Sequence, residues 1–411
     1  MPKDLSFFQK ISKKLVLNLL KEIQQGRISL QDQSENIKSK NIQAGDSDAA
    51  CPLNTGLQVL TPKVYPRIIK RGSIGAAEGF MLGEWVTEDL LVLLRIFIRN
   101  REQLFKLDSG YAKIYQAFWR YLDRFKRNTP EQGRLNISAH YDLGNDFFKL
   151  FLDQSLMYSS ALFSLPSDNL ETASEQKLRR ICEKLNLQAH HRLIEIGSGW
   201  GGFAIYAAKN YGCHVTTTTV SEEQYQFTQK KIHELNLSQQ ITLLKKDYRS
   251  LTGQYDRLVS IEMIEAVGYE FMDSFVKQCS NLLKSDGMGL IQAIIRPDQK
   301  YHQVYKEVDF IKKYIFPGGC LLSTLFLLEE FAKHSDLRLF DFKDMGYDYA
   351  QTLSIWRERF MNQRPAVRDL GFSEEFIRMW EFYLVYCEAG FLERYISVAQ
   401  LIFVKPAYAL S

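Results

Sequence analysis

From about residue 175 onward the hydrophobic pattern switches repeatedly between two periods. Short apolar runs of strand length occur at "RLIEI" (192–196), "CHVTTTTV" (213–220), "ITLLKKD" (241–247), "YDRLVSIEMI" (255–264), "MGLIQAII" (288–295) and "VAQLIFVK" (398–405). Between them, "ASEQKLRRICEKLNL", "FAIYAAKNYG", "SEEQYQFTQKKIHELNL" and "YEFMDSFVKQCSNLLKSDG" place apolar residues at helical spacing. Alternation of this kind predicts an α/β fold: a doubly wound, mostly parallel sheet with helices on both faces. The chain ahead of it reads differently. Residues 5–25 predict one amphipathic helix, and 31–54 a polar linker without apolar periodicity. From Leu57 to about Pro130 a smaller α+β unit is expected, with short strands turning at "RGSIGAAEG" and helices carrying "EDLLVLLRIFIRN" and "YAKIYQAFWRYLDRF". The last of these puts Ile114, Phe118, Tyr121, Leu122 and Phe125 on one face, ringed by Lys113, Arg120, Arg124 and Lys126. Such a face serves either as core or as an interfacial helix. The expected division is therefore 1–56 (helix and linker), 57–130 (small basic domain) and 131–411 (catalytic domain).

Composition adds a location and removes several functions. A chain of 411 residues with 45% hydrophobic content supports more than one packed core. Its net charge of +4 is too small to point to nucleic acid, but the charge is uneven. Lys and Arg outnumber Asp and Glu by 21 to 13 over residues 1–130, leaving the remainder at −4. A basic N-terminal region suits an anionic membrane surface, and a solvated charged face suits it equally. Six scattered cysteines, with no C-x-x-C, argue against zinc and against a disulfide framework, and fit a reducing cytosol. The lysine-studded start lacks the apolar core of a secretory signal. The greasiest run, Leu90–Ile98, is broken by Arg95 and too short to span a bilayer. A cytoplasmic protein that touches membranes peripherally is expected.

The stretch "RLIEIGSGWGG" has glycines at 197, 199 and 202, the spacing of a dinucleotide fingerprint. Two neighbours oppose that reading. Glu195 stands two residues before the first glycine, where a carboxylate repels a diphosphate at the helix N-terminus. The second strand ends in "TTTTVS" without the acid that would hold a ribose, its nearest polar substitute being Gln224. A ligand carrying positive charge fits better, such as the sulfonium and amino groups of S-adenosylmethionine.

Around the loop lie "HYDLGNDFF", "MYSSALF", "LIEIGSGWGGFA", "TTTVSEEQ", "EMIEAVG" and "YIFPGG". With these motifs the chain, from Leu57 to its end, closely resembles the cyclopropane fatty acid synthase family of class I S-adenosylmethionine-dependent methyltransferases, which includes the mycolic acid cyclopropane synthases. The resemblance implies methyl transfer to a cis double bond of an unsaturated phospholipid acyl chain, then deprotonation of a carbocation to close a cyclopropane ring. Close alternatives are a methylene or methyl-branched product; a small-molecule methyltransferase is the more distant one. An anionic membrane surface is the implied partner, with a homodimer as candidate assembly.

Residue by residue, the resemblance assigns cofactor contacts to Tyr141, Tyr158, Ser159, Glu195, Gly197, Gly199, Thr219, Val220, Gln224, Asp247 and Tyr248. It assigns an acyl pocket to Tyr314, Phe316 and Gly318. The proton acceptor it implies is a bound bicarbonate, held by Glu265, Tyr349, Ser160 and Gln292. Ser160 and Gln292 stand where the family has Cys and His, so either the anion is held differently or Glu265 is itself the base.

Overall fold

The computed structural model describes residues 5–33, 42–45, 51–104, 143–301 and 307–409. By contacts the chain divides into two units. One comprises Met1–Phe125, Lys306–Ile315 and Trp356–Tyr395; the other comprises Lys126–Tyr305, Phe316–Ile355 and Ile396–Ser411. Tyr141 and the basic-rimmed face at 113–126 lie outside the described residues.

The first unit opens with α1 (Phe7–Leu20), whose Ser6 and Gln9 form a reciprocal capping box. Four strands follow in the spatial order β2-β1-β3-β4: β1 (Arg27–Asp32), β2 (Ile42–Ala44), β3 (Asn54–Val59) and β4 (Trp85–Thr87). β1 runs parallel to β3, and the two outer pairs are antiparallel. Part of the segment expected as linker is thus sheet. The signal is a period-two alternation in which Ile28 and Leu30 are buried between polar neighbours.

"RGSIGAAEG" is likewise not a turn between strands. It lies within α2 (Val64–Met81), broken only at Gly72 (φ 58°, ψ −137°). Its other glycines serve close contact: a Cβ on Gly75 would lie 2.3 Å from the Arg67 carbonyl oxygen, and one on Gly79 3.0 Å from the Trp85 ring. α3 (Leu90–Arg99) and the helix Glu374–Leu392 pack into the same unit, where Phe80 meets Trp85 and Phe382. No linear boundary could have joined residues so far apart in the chain.

Asn100, buried at the end of α3, ties this unit together. Its Oδ1 accepts from Gln24 N (2.8 Å) and Gln25 N (3.0 Å), while its Nδ2 donates to Gln25 O (2.7 Å) and Ile96 O (2.8 Å). Asn100→Leu keeps a similar shape and strands Gln24 N, Gln25 N and Gln25 O, while Ile96 O retains the backbone hydrogen bond from residue 100. At about 1–3 kcal/mol for each stranded buried group, partly relieved by relaxation, a loss of about 3 kcal/mol is expected from urea unfolding.

The second unit is a doubly wound α/β layer. In chain order it contains α4 (Asn145–Lys149), α5 (Leu170–Lys184), β5 (Arg192–Ile196), α6 (Gly202–Tyr211), β6 (His214–Thr219), α7 (Glu222–Glu234) and β7 (Ile241–Lys245). It continues with β8 (Tyr255–Ile261), α8 (Met272–Leu282), β9 (Leu283–Arg296), β10 (Leu322–Ser323), α9 (Thr324–His334), β11 (Arg338–Asp344), the part of α10 (Gly346–Asn362) up to Ile355, and β12 (Ser397–Val404). The sheet order is β11-β12-β9-β8-β5-β6-β7, with β10 pairing β9. From β7 to β9 every pair is parallel; β12 is antiparallel to both β9 and β11. Successive residues feed opposite cores. Leu258 and Leu401 pack with Phe275 on one face, Val259 and Ile402 with Phe203 on the other. The strand order reverses between β5 and β8, and open α/β sheets bind ligands outside the carboxyl ends of such a pair.

Candidate active site

The loop leaving β5 is shaped by glycine. Gly197 (φ 96°) and Gly199 (φ 49°) both take left-handed conformations. The amides of Gly197 and Ser198 donate to the Thr218 carbonyl of β6, at 3.2 and 2.8 Å. A Cβ on Gly199 would meet nothing within 4 Å, so the loop borders open space there. Gly199→Ala therefore costs only the left-handed backbone, about 1–2 kcal/mol, while placing a methyl in the space a ligand would enter. We expect S-adenosylhomocysteine affinity, measured by calorimetry, to fall at least tenfold while the variant remains folded.

Glu195 is fully buried within β5 and accepts from Thr217 Oγ1 on β6 at 2.5 Å. Burial pushes its carboxyl up to about 8, against the effect of that hydrogen bond. Burial thus favours the protonated form near neutral pH, and a cation placed beside this carboxyl would favour the ionised form. At the end of β6, Thr219 Oγ1 donates to Gln224 Oε1 (2.9 Å), while Ser221 caps α7. Thr219, Val220 and Gln224 therefore lie together beside the glycine loop. After β7 the picture changes. Asp247 engages Arg249 through both oxygens, at 2.8 and 3.1 Å, and caps the following turn. Tyr248 is buried against Phe275, and its hydroxyl has no partner among the described residues.

On the other side of the switch point lies the segment 153–163. Asp153 shapes it: its carboxylate accepts from the amides of Ser155 (2.8 Å) and Met157 (3.0 Å) and from the Ser155 hydroxyl. Further along, Ala161 N donates to Thr352 Oγ1 (3.1 Å) and Phe163 N to Asp348 Oδ1 (2.8 Å), pinning the segment to α10. Tyr158 packs on Phe148 (5.3 Å) and Phe316 (6.3 Å), and Phe148 on Trp200 (4.9 Å). Ser159 Oγ receives a 2.7 Å hydrogen bond from Lys177, a buried residue of α5.

Three of the four residues expected to hold an anion do converge, but on a carboxylate of the chain. Ser160 N (2.9 Å) and Gln292 Nε2 (2.8 Å) donate to Glu262 Oε1, and the Tyr349 hydroxyl donates to Glu262 Oε2 (2.8 Å). Gln292 is aimed by Gln400 (3.0 Å), which accepts from Arg180 (3.0 Å). The donors assigned to bicarbonate are committed to Glu262, so the site does not fit that ion in addition. Glu262 follows β8 with φ 48°, a left-handed conformation that a non-glycine residue adopts at a cost.

Glu265, one turn on, is a different kind of group. It is bonded through Oε1 to Ile294 N (2.6 Å), and Oε2 has no partner among the described residues. Burial and the charge of Glu262 push it up to about 8. Burial raises Glu262 as well, opposed by its three donors and by Lys177. Of the two carboxyls, the negative charge therefore belongs on Glu262.

Of the expected acyl pocket, Phe316 and Gly318 fall in the second unit with Tyr158. Tyr314 falls in the first, where its hydroxyl donates to Glu78 (2.6 Å) and burial pushes it up to about 12. Glu262, Lys177 and Gln400 were not anticipated. For Glu262 the signal was present, since "EMIEAVG" offers two glutamates at a strand's carboxyl end.

A glycine turn at the switch point of a 7-6-5-8-9-12-11 sheet, beside a buried acid and an aromatic segment, defines a class I S-adenosylmethionine-dependent methyltransferase. Residues 128–401 match the family model described as mycolic acid cyclopropane synthetase. The chain is 35% identical over 365 residues to tuberculostearic acid methyltransferase UfaA1 of Mycobacterium tuberculosis, covering 87% of this chain and 85% of that protein. It is equally 35% identical over 352 residues to cyclopropane-fatty-acyl-phospholipid synthase of Escherichia coli, covering 85% and 87%. The solved structure of mycolic acid cyclopropane synthase CmaA1, complexed with SAH and CTAB, superimposes with a TM-score of 0.62 at 29% identity, over 66% of this chain and 98% of that one. The chain belongs to this cyclopropane synthetase family of S-adenosylmethionine-dependent lipid methyltransferases.

Proposed function

We propose that the protein methylates the cis double bond of an unsaturated phospholipid acyl chain and closes a cyclopropane ring, with Glu262 as the proton acceptor. The convergence of Ser160, Gln292 and Tyr349 on the Glu262 carboxylate carries this reading. When bound, S-adenosylmethionine supplies an electrophilic methyl group, which the double bond takes up to leave a carbocation on the lipid. The glycine loop, Glu195, Thr219, Val220 and Gln224 are the residues to hold it.

The chain's own tasks are then three. It must align an alkene, a poor nucleophile, against the methyl group. It must exclude water from the cation, which suits the rings of Phe148, Tyr158, Trp200 and Phe316; their faces also favour positive charge. Finally, Glu262 takes a proton from the added methyl group, and the freed C–H electron pair forms the second bond of the ring. Tyr349 and Gln292 hold the carboxylate in place and keep it ionised. Glu265, neutral beside it, leaves it the sole charged carboxylate of the pair.

A second reading retains the methyl transfer and gives a methylene product, by loss of a proton from a neighbouring position. It is supported by the equal resemblance to a tuberculostearic acid methyltransferase. Incubation with labelled S-adenosylmethionine and dioleoyl phospholipid, followed by mass spectrometry of the released chains before and after ozonolysis, which cleaves an alkene and spares a cyclopropane, separates the two. A gain of one CH2 with loss of the double bond supports cyclopropanation, and retained unsaturation supports the methylene product. Label appearing only in small polar molecules would refute both.

A further inference from the structure

Helix α1 has two apolar faces, and among the described residues only one is packed. Ser12, Val16 and Leu20 are buried where α1 packs on α2. Phe7, Phe8, Ile11 and Leu15 are instead 81, 47, 41 and 46% exposed. At 100° per residue these four form a second stripe roughly 100° wide, turned well away from the packed one. Among the described residues the contact with α2 is taken by the other face, through Val16 and Leu20.

The surroundings of the stripe are basic. α1 carries Lys10, Lys13 and Lys14 and no acidic residue. Lys10, Lys14 and the adjoining Lys21 are exposed along one border of the stripe. On the other border Lys70 of α2 lies 5.5 Å over the Phe8 ring. Lys13 is spent internally, on Asp32 at 2.7 Å. The capping box at Ser6 holds the first turn in helical form, so Phe7 and Phe8 are presented on a formed helix.

We infer that α1 is a membrane-docking helix, lying in the interface of an anionic phospholipid bilayer with Phe7, Phe8, Ile11 and Leu15 among the acyl chains. Lys10, Lys14, Lys21 and Lys70 then sit at the level of the phosphates. An apolar stripe with three lysines along one border and Lys70 at the other is complementary to such a surface. The inference rests on the acyl-lipid reading above: a substrate held in a bilayer requires the enzyme to come to it, and no helix among the described residues is long and apolar enough to cross a membrane.

The test uses the full-length protein and needs no turnover. Phe8→Trp should show a blue-shifted emission with phosphatidylglycerol vesicles, quenched by brominated acyl chains, and weakened by salt. Phe7→Ser/Ile11→Ser/Leu15→Ser should lower co-sedimentation with those vesicles at least tenfold. Lys10→Gln/Lys14→Gln should lower it severalfold. All substitutions are at exposed positions, so thermal melting should match the parent. Equal sedimentation of parent and triple variant overturns the inference, as does a parent that does not sediment. A concentration-dependent dimer abolished by the triple variant, with no emission shift on vesicles, assigns the stripe to a second copy and also overturns it. Methyl transfer provides a separate arm. The triple variant should lose transfer to vesicles while retaining transfer to detergent-dispersed lipid; transfer to neither by the parent condemns the lipid reading but not the docking result.

Discussion

Glu262→Gln should lower methyl transfer about a thousandfold while leaving S-adenosylhomocysteine binding within a few-fold of the parent. A positioned general base contributes about 10²–10⁴ in rate, and an amide keeps the shape but accepts no proton at neutral pH. The substitution also preserves much of the hydrogen bonding, since the amide oxygen still accepts from Ser160 N and Gln292 or from Tyr349. The loss should therefore fall on the chemical step, visible in single-turnover label transfer, with little change in melting temperature. Glu265→Gln should be milder, because Glu265 is already held neutral by burial at about 8. The opposite order, with Glu265→Gln abolishing turnover and Glu262→Gln tolerated, would transfer the base role to Glu265.

By the same geometry the parent's methyl transfer is expected to be unchanged by added or removed bicarbonate, since its donors already face a carboxylate. Glu262→Gly offers the converse case. The left-handed φ of 48° suits glycine, so the backbone should survive, and three donors would be left facing a carboxylate-sized space. Added formate or bicarbonate should then restore part of the activity in the glycine variant and none in the glutamine variant, which fills that space.

The sheet and its glycine loop were legible because both are local patterns. Strand-length apolar runs alternate with helical periods, and "IEIGSGWGG" sits between one of each. The site's polar core was legible only in part. Ser160, Gln292 and Tyr349 were identified individually, but their meeting point depends on β8, β9 and α10 being brought together. The backbone turn at Glu262 then decides which of two glutamates is presented. Nor could a linear reading find Lys177, which looks like any helix lysine in "EQKLRRICEK" until the packing of α5 buries it. The first unit is less legible for the same reason. Its strand β1 alternates over six residues only, and its long partner helix lies some three hundred residues downstream.

Lys177→Met is expected to shift the pH dependence of the reaction rather than remove it. Burial pushes the Lys177 ammonium down to about 8, against the charges of Glu262 and Asp153. While protonated it is the nearby positive charge that opposes the burial-driven rise of Glu262. Methionine keeps the volume and loses the charge, so Glu262 should bind its proton more tightly. The acid limb of kcat/KM should move up by about one pH unit, equivalent to 1.36 kcal/mol. Turnover should fall on the acid side of the profile and recover as pH rises; a uniform fall at all pH would mean that Lys177 only packs. Stability should change in the opposite sense. A lysine depressed on folding contributes stability that is fully present above its unfolded value of 10.5 and is lost as pH falls through about 8. The methionine variant lacks that loss, so its melting temperature relative to the parent should rise as pH is lowered from 10.5 to 8. A residue kept at some cost in stability, beside the carboxylate that must stay ionised, is the signature of a positioning role.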